Sequence, residues 1–355
     1  RLDNPTRSAT DTDVSEIRFS SGTSGVSKAL LQTHRQALCK AEGIIEACEA
    51  TDADCAYTPW PLFHSGAAHY DVLGAFITGG RVVLRKRFSA TRWWDEIRDH
   101  DATWFMIVGS VQAILCAPPE SPSDRDNPVR LAWGCPYPIP RQVFEERFGL
   151  VTIDCYGSED AGYVSTTSIG CQGYGTQGRI RDLYDIRIGD EHDEAVPFGQ
   201  SGEILIRTHE PHVLMEGYFG QPELTAEVFR NDWFHTGDLG HMDADGTLYF
   251  HARLKEVVRR RGENVMPHEV EEVIQTHVEV EECVAVGVDS LVGEQDVKVY
   301  VICTPGSTLD AASLTEWCDG RMARFMVPSH VEFVDDIPRT PTGKPALSLL
   351  EREAG

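Results

Sequence analysis

Short apolar runs bounded by turn residues alternate with longer amphipathic stretches, and this alternation limits the available folds more than any other feature of the chain. "EIRF" precedes "HRQALCKAEGIIEAC", "WFMIV" precedes "SVQAIL", "VRLAW" precedes "PRQVFEERF", and "VTIDC" runs into "YGSED". The short runs read as strands and the longer stretches as helices, which together make α/β layers with helices packed on sheets. From about residue 180 the pattern changes to "LYDIRIG", "GEILIRT" and "GTLYFHARLKEVV", hairpin-like segments of a small β-rich subdomain in which "DADG" is a strong turn signal. After residue 255 come helix "PHEVEEVIQTH", strands "CVAVGV" and "VKVYVIC", helix "LDAASLTEWCDGRMA" and strand "HVEFV", a unit of about a hundred residues. The expected fold class is α/β. A large layered α/β body with a small β-rich subdomain spans residues 1–253, and a small α+β C-terminal domain spans 254–355.

Charge excludes some functions. Against 32 basic residues stand 56 acidic ones, a formal charge of −24, which opposes general attraction to nucleic acid or to an anionic membrane. A polyanionic ligand therefore needs a local basic site. The ten cysteines form no CxxC pair, as expected of thiols in a reduced, cytoplasmic protein. The opening "RLDNPTRSATDTD" is too polar for a signal peptide, and no apolar run is long enough to span a bilayer.

Five motifs carry candidate chemistry, each with a plainer reading beside it. In "FSSGTSGVSK" the glycines permit backbone N–H groups to converge on one anion, and Ser20, Ser21, Thr23, Ser24 and Lys28 add donors and charge. The stretch lacks the GxxxxGK[ST] spacing, and its composition equally describes a flexible surface turn. In "YGSED", Tyr156 can stack on a base and a carboxylate can hold Mg2+, or the acids simply face water in a turn. Asp238 in "WFHTGDLG" can accept two ribose hydroxyls or serve as a turn former. Residues 253–262 hold Arg253, Lys255, Arg259, Arg260 and Arg261 against Glu256, an island for phosphates or a solvated basic face. Lys344 in "PRTPTGK" is a mobile catalytic cation or an exposed side chain.

Taken in order, these motifs resemble the AMP-forming adenylating superfamily: acyl-CoA and aryl-CoA synthetases, adenylation domains of peptide synthetases, and luciferases. The resemblance runs from about residue 15 to residue 350 through "SSGTSGVSK", "PLFHSG", "WGCPYP", "YGSED", "HTGDLG", "RLKEVVRRRGEN" and "PRTPTGK". It implies a two-step reaction in which a carboxylate attacks the α-phosphate of Mg-ATP to give an acyl adenylate and pyrophosphate. A thiol, usually that of CoA, then displaces AMP. By this resemblance Ser20, Ser21, Gly22, Thr23, Ser24, Gly25 and Lys28 hold the ATP phosphates. Gly134, Cys135, Pro136, Cys155, Tyr156, Gly157 and Ser158 enclose adenine, and Asp238 and Arg253 hold the ribose. Lys344 stabilises charge developing on the carboxylate and α-phosphate oxygens. Lys255 is the hinge about which the small domain rotates, bringing Arg259, Arg260, Arg261, Gly262 and Glu263 to CoA.

The chain departs from the family pattern at four places. The pattern YGxTE aligns Glu159 with a phosphate-contacting threonine and Asp160 with the metal-binding glutamate; sliding by one makes Ser158 the hydroxyl and Glu159 the metal ligand, so both acids are candidates. Ser27 replaces a proline, and "GCPYP" replaces GGAxP and stiffens the adenine wall. The phosphate loop begins near residue 20, whereas members carry a substantial N-terminal region before it. Either the numbering begins inside a longer protein, or a segment was cut away, or the member is naturally short. A missing part of the body exposes core surface that homo-oligomerisation can cover, and its loss can remove activity.

"PLFHSG" is similar to the CoA-synthetase version of its motif, with His64 where amino-acid-activating domains place an aspartate, so a small carboxylic acid without an α-amino group is the expected substrate. His64, a second catalytic candidate or a packing residue, lines the acyl pocket with Ser65, Gly66 and "MIVGS", and Gly109 opens it. Two alternatives stand beside a CoA ligase using ATP, Mg2+ and CoA. One is a free-standing enzyme loading the phosphopantetheine of a carrier protein; the other is a catalytically impaired nucleotide-binding fragment. The basic island favours CoA, which carries phosphates that a carrier protein lacks.

Overall fold

A computed structural model describes residues 8–20, 28–134, 139–171, 175–290, 294–339 and 345–350. The chain divides into two compact units, one of residues 1–20, 28–236 and 241–250, the other of residues 21–27, 237–240 and 251–355.

The first unit opens on a hairpin in which β1 (Val14–Ser20) pairs antiparallel with β2 (Lys28–Thr33), Ser20 opposite Lys28. Strand β2 leads directly into α1 (His34–Cys48), because the Thr33 hydroxyl accepts the Gln36 N–H and caps the helix start. Glu49, left-handed at φ 48°, ends it. The buried stripe of α1 includes Gln36, Lys40, Ile44 and Ala47, at i, i+4, i+8 and i+11, with two polar members.

Five short strands then build a parallel sheet: β3 (Cys55–Thr58), β4 (Arg81–Leu84), β5 (Trp104–Ile107), β6 (Leu131–Gly134) and β7 (Val151–Ile153), in the order β4-β3-β5-β6-β7. Strands β3, β5 and β6 are buried at every residue, which is why each reads as an unbroken run and not as an alternation. Between the strands lie a π-helical segment (Gly66–Leu73) continuing into α2 (Gly74–Thr78), then α3 (Trp93–Asp99), α4 (Gly109–Cys116) and α5 (Arg141–Phe148). The Trp93 ring meets Tyr57 and Phe105 edge-on at 4.9 and 5.0 Å, tying α3 to the sheet.

A mixed sheet follows. Its strands are β8 (Cys155–Ser158), β9 (Gly162–Thr166), β10 (Gly178–Ile180), β11 (Tyr184–Gly189) and β12 (Gly202–Thr208). They are joined by β15 (Trp233–Met242) and β16 (Thr247–Arg253), in the order β11-β12-β15-β16-β10-β9-β8. Strand β13 (Gly217–Tyr218) joins β2 instead, and α6 (Pro222–Val228) and β14 (Phe229–Arg230) lie between it and β15. The β-rich part thus begins at Cys155, earlier than residue 180, because β8 and β9 carry Gly, Ser and Thr in place of a strong apolar alternation.

In the second unit β17 (Val258–Arg260) and β18 (Glu263–Val265) form a hairpin, followed by α7 (Pro267–Gln275). Then β19 (Val280–Asp289) and β20 (Gln295–Cys303) pair antiparallel, α8 (Ala311–Cys318) crosses, and β21 (His330–Phe333) adds parallel to β20. Val258, Val270, Ile274, Val299 and Leu314 are among its core residues. Among the described residues no helix is long and apolar enough to cross a membrane.

At the end of β6, Gly134 adopts φ 145°, and a Cβ there would lie 1.9 Å from the Ile107 carbonyl oxygen on β5. Gly134→Ala should therefore lower the unfolding free energy by at least about 2 kcal/mol, through backbone strain and overpacking together, as measured by urea denaturation.

Candidate active site

The first unit holds a closed ring of six polar side chains next to the "PLFHSG" segment, with Gln32, Lys40, Ser65 and His69 buried and Glu16 and Glu159 half-buried. The Lys40 ammonium, 0% exposed, donates to Gln32 Oε1 at 2.5 Å and to Glu159 Oε2 at 3.1 Å. Glu159 Oε2 accepts the Ser65 hydroxyl at 2.5 Å, and its Oε1 accepts the Ser65 N–H at 3.2 Å. His69 connects Ser65 to Glu16, its Nδ1 lying 3.1 Å from Ser65 Oγ and its Nε2 2.6 Å from Glu16 Oε1. Gln32 Nε2 donates to Glu16 Oε1 at 2.7 Å and closes the ring. Buried Arg18 joins from β1, with Nε 3.3 Å from Glu16 Oε2 and Nη1 donating to the Phe63 carbonyl at 2.5 Å.

The ring exists because three elements place polar residues inward. On β1, Glu16 and Arg18 share one face while Ile17 and Phe19 are exposed on the other, the reverse of the usual arrangement. On α1, Lys40 occupies the buried stripe, and Gln32 is buried just before the helix begins. Burial by itself would raise the Glu159 carboxyl, but the facing Lys40 ammonium, the Ser65 hydroxyl bond and the Arg18 charge outweigh it and hold Glu159 at about 2. Burial lowers the Lys40 ammonium from its ordinary range, against the pull of Glu159. Burial also lowers His69, against its bond to Glu16.

The residues singled out in the sequence fall into three groups. Ser21, Gly22, Thr23, Ser24, Gly25, Cys135, Pro136 and Lys344 lie outside the described residues. In the first unit, β1 and β2 flank residues 21–27, and the Lys28 ammonium sits 4.8 Å from the centre of the Tyr218 ring. The Tyr218 hydroxyl donates to Asp160 Oδ1 at 2.7 Å, so ammonium, phenol and carboxylate lie in succession. Asp160 and Glu159 therefore have different surroundings, one accepting a neutral phenol and the other an ammonium. Tyr156 is 7% exposed with its ring stacked 6.1 Å from Phe250, so its burial comes from the core of the mixed sheet. Beside it Gly157 runs so close to β9 that a Cβ would lie 2.1 Å from the Gly162 carbonyl oxygen. Cys155 and Ser158 are half-buried, the Ser158 hydroxyl accepting the Ala161 N–H at 3.0 Å. His64 is half-buried, its Nδ1 accepting the Gly66 N–H at 3.0 Å. Gly66 leaves room for Met106, whose sulfur would lie 2.5 Å from a Cβ there.

In the second unit the structure brings Asp238 and Arg253 together, Arg253 Nη1 lying 2.8 Å from Asp238 Oδ1, with Asp238 2% exposed. Lys255 is exposed in the turn that follows, where the Glu256 N–H donates to the Arg253 carbonyl at 2.9 Å. The basic island is smaller than its sequence. Arg260 is 6% exposed and commits its guanidinium to Asp296, to the carbonyls of Phe325 and Val327, and to Ser329. Its expected part in meeting CoA phosphates is thereby corrected: alternation along β17 turns the middle arginine inward, against the core. Arg259 and Arg261 stay exposed, and Arg261 and Gly262, at φ 54° and 83°, form the two-residue turn to exposed Glu263. Arg259 Nη1 donates to Asn264 Oδ1 at 2.7 Å.

Lys40, Gln32, His69, Glu16 and Arg18 were not among the residues that motif reading selects. The available signals were the charged alternate positions in "EIRF" and a lysine on the apolar stripe of "HRQALCKAEGIIEAC". Acid should weaken this region in two steps. His69 is lowered from 6.5, so its contribution is present above that pH and fades below it. Glu159 is lowered from 4.5 to about 2, so its contribution is present above 4.5 and is lost as pH falls toward 2. In Lys40→Met the Glu159 step should move to higher pH, which urea unfolding measured across pH 3 to 7 will read.

The AMP-binding enzyme family profile matches residues 2–219, and the AMP-binding enzyme C-terminal domain profile matches residues 269–344. Crotonobetaine/carnitine–CoA ligase from Salmonella typhi is 30% identical over 339 residues, covering 94% of this chain and 65% of that protein. The chain thus spans about two thirds of the length of the curated relatives it matches. ATP-bound MatB from Rhodopseudomonas palustris shares the fold with a TM-score of 0.88 at 25% identity, over 96% of this chain and 68% of that one. O-succinylbenzoate coenzyme A synthetase (MenE) from Bacillus subtilis, solved with ATP and magnesium ion, gives 0.84 at 26% identity, over 96% and 70%. With a profile of that family covering more than half of its length, the chain belongs to the AMP-binding enzymes.

Proposed function

We propose that the protein activates a carboxylic acid with ATP, releasing pyrophosphate to form an acyl adenylate, and then passes the acyl group to the thiol of CoA. The observation that carries this reading is the succession of Lys28, Tyr218 and Asp160, which starts from the lysine that ends the stretch resembling the family's phosphate loop. An ammonium over the ring and a carboxylate at its hydroxyl suit a nucleotide whose phosphates arrive with a cation. Asp160 is a hard oxygen donor of the kind Mg2+ takes, while both oxygens of Glu159 already accept hydrogen bonds from Lys40 and Ser65. When bound, Mg2+ supplies neutralisation of phosphate charge.

The remaining roles follow the resemblance. Asp238, oriented by Arg253, accepts ribose hydroxyls. The edge of β8 and the end of β6 border adenine, and Lys344 supports charge on the reacting oxygens. Residues 254–355 act as a mobile domain hinged at Lys255, which presents Arg259, Arg261 and Gly262 to the thiol substrate. The relatives named as CoA ligases favour CoA as acceptor. With Arg260 turned inward, two exposed arginines remain on the hairpin for its phosphates.

Carboxylate-dependent exchange of labelled pyrophosphate into ATP tests the reading, over a panel containing crotonobetaine, carnitine, o-succinylbenzoate, aliphatic acids and amino acids. Exchange is expected with one class of acid lacking an α-amino group. Lys344→Ala should reduce that exchange about 100-fold or more while sparing thioester formation from a supplied adenylate. Folded protein that exchanges with no acid would contradict the proposal.

A further inference from the structure

We propose that Glu159 is a positioning residue that fixes the acyl-side loop and His64, and that it holds neither the metal nor the phosphates; this rests on the adenylating reading above. Residues 61–66 have little apolar packing of their own, Leu62 being 54% and Phe63 68% exposed. Charged side chains hold them instead. On one side Arg18 donates to the Phe63 carbonyl, and on the other Glu159 accepts both the N–H and the hydroxyl of Ser65. His64 is the one residue between these anchors, and its ring is oriented by the Gly66 N–H just beyond them. The position of the imidazole is thus set by two ionised groups that face it through the backbone.

Glu159 is suited to this and not to a nucleotide. A metal ion on its Oε2 would compete with the Lys40 ammonium 3.1 Å away and with the Ser65 hydroxyl, and one on Oε1 would displace the Ser65 N–H. Lys40 in turn explains how a carboxylate is tolerated where the family pattern places a hydroxyl. Two cations, Lys40 and Arg18, balance two anions, Glu159 and Glu16, so the ring presents no net repulsion to incoming phosphates. Asp160, one residue on, accepts from the Tyr218 phenol and faces the Lys28 side. Adjacent acids therefore serve different ends of the reaction: Glu159 the acid-binding loop, Asp160 the nucleotide.

The test compares wild type with Glu159→Gln, Ser65→Ala and Asp160→Asn by two measurements that need no acid substrate: Mg-ATP affinity by calorimetry, and amide hydrogen exchange of residues 61–66. Glu159→Gln and Ser65→Ala should each speed loop exchange by about tenfold or more and leave the Mg-ATP Kd within about twofold. Asp160→Asn should weaken Mg-ATP by about tenfold and leave the loop unchanged. Ser65→Ala keeps the Lys40–Glu159 pair intact, so it reads the clamp even if Glu159→Gln folds poorly. The proposal is overturned if Glu159→Gln weakens Mg-ATP as much as Asp160→Asn does, or if Ser65→Ala leaves loop exchange unchanged. A wild type that binds no Mg-ATP would instead overturn the adenylating reading, with loop exchange still deciding the clamp.

Discussion

The contact between Lys40 and Glu159 is the interaction on which the arrangement of the first unit around "PLFHSG" depends. Taking an ammonium and a carboxylate out of water costs several kcal/mol each, and their attraction offsets this only when the remaining donors and acceptors are also satisfied. Here they are, by Gln32 on one side and Ser65 on the other. The ring joins elements that are far apart in sequence: β1 through Glu16, β2 through Gln32, α1 through Lys40, the π-helical segment through His69, and the end of β8 through Glu159. Loss of one charge would leave the other buried and uncompensated, which is why the ring behaves as a single unit and not as separable pairs.

The neighbouring backbone makes that contact possible. Thr33 caps α1 where β2 ends, and Lys40 lies on the buried stripe of that helix with Gln36 and Ile44. Gly157 lets β8 run against the Gly162 carbonyl closely enough for the chain to turn at once, and the turn aims residues 159 and 160 in different directions. Gly134 plays the comparable part on the parallel sheet, where β6 ends against the Ile107 carbonyl. Side-chain chemistry and backbone permission thus fall on the same few positions, as expected of a site set at strand ends.

Much of the fold was legible because it rests on patterning. The runs "WFMIV", "VRLAW" and "VTIDC" became the parallel strands β5, β6 and β7, whereas "EIRF" became part of an antiparallel hairpin strand, and the closing stretch became a small α+β unit. Motif order was enough to single out Asp238 and Arg253, which lie 2.8 Å apart. Direction was harder to read. The alternatives at Glu159 and Asp160 differ by one residue, and in the turn after β8 one residue changes the partners a side chain meets, Lys40 and Ser65 for Glu159 and Tyr218 for Asp160. The run of three arginines reads as one basic patch until strand alternation puts Arg260 inside. Lys40 escaped notice because a lysine in a helix is usually solvated, and nothing local announces that its partner is more than a hundred positions away.

The most direct measurement of the central claim is a double-mutant cycle on unfolding free energy with Lys40→Met and Glu159→Gln. If the buried pair organises the ring, each single substitution costs about 3 kcal/mol or more, and the double variant recovers at least about 2 kcal/mol of the summed loss. Additive losses would contradict the account, showing that the two residues contribute independently and that the ring is held by its other members.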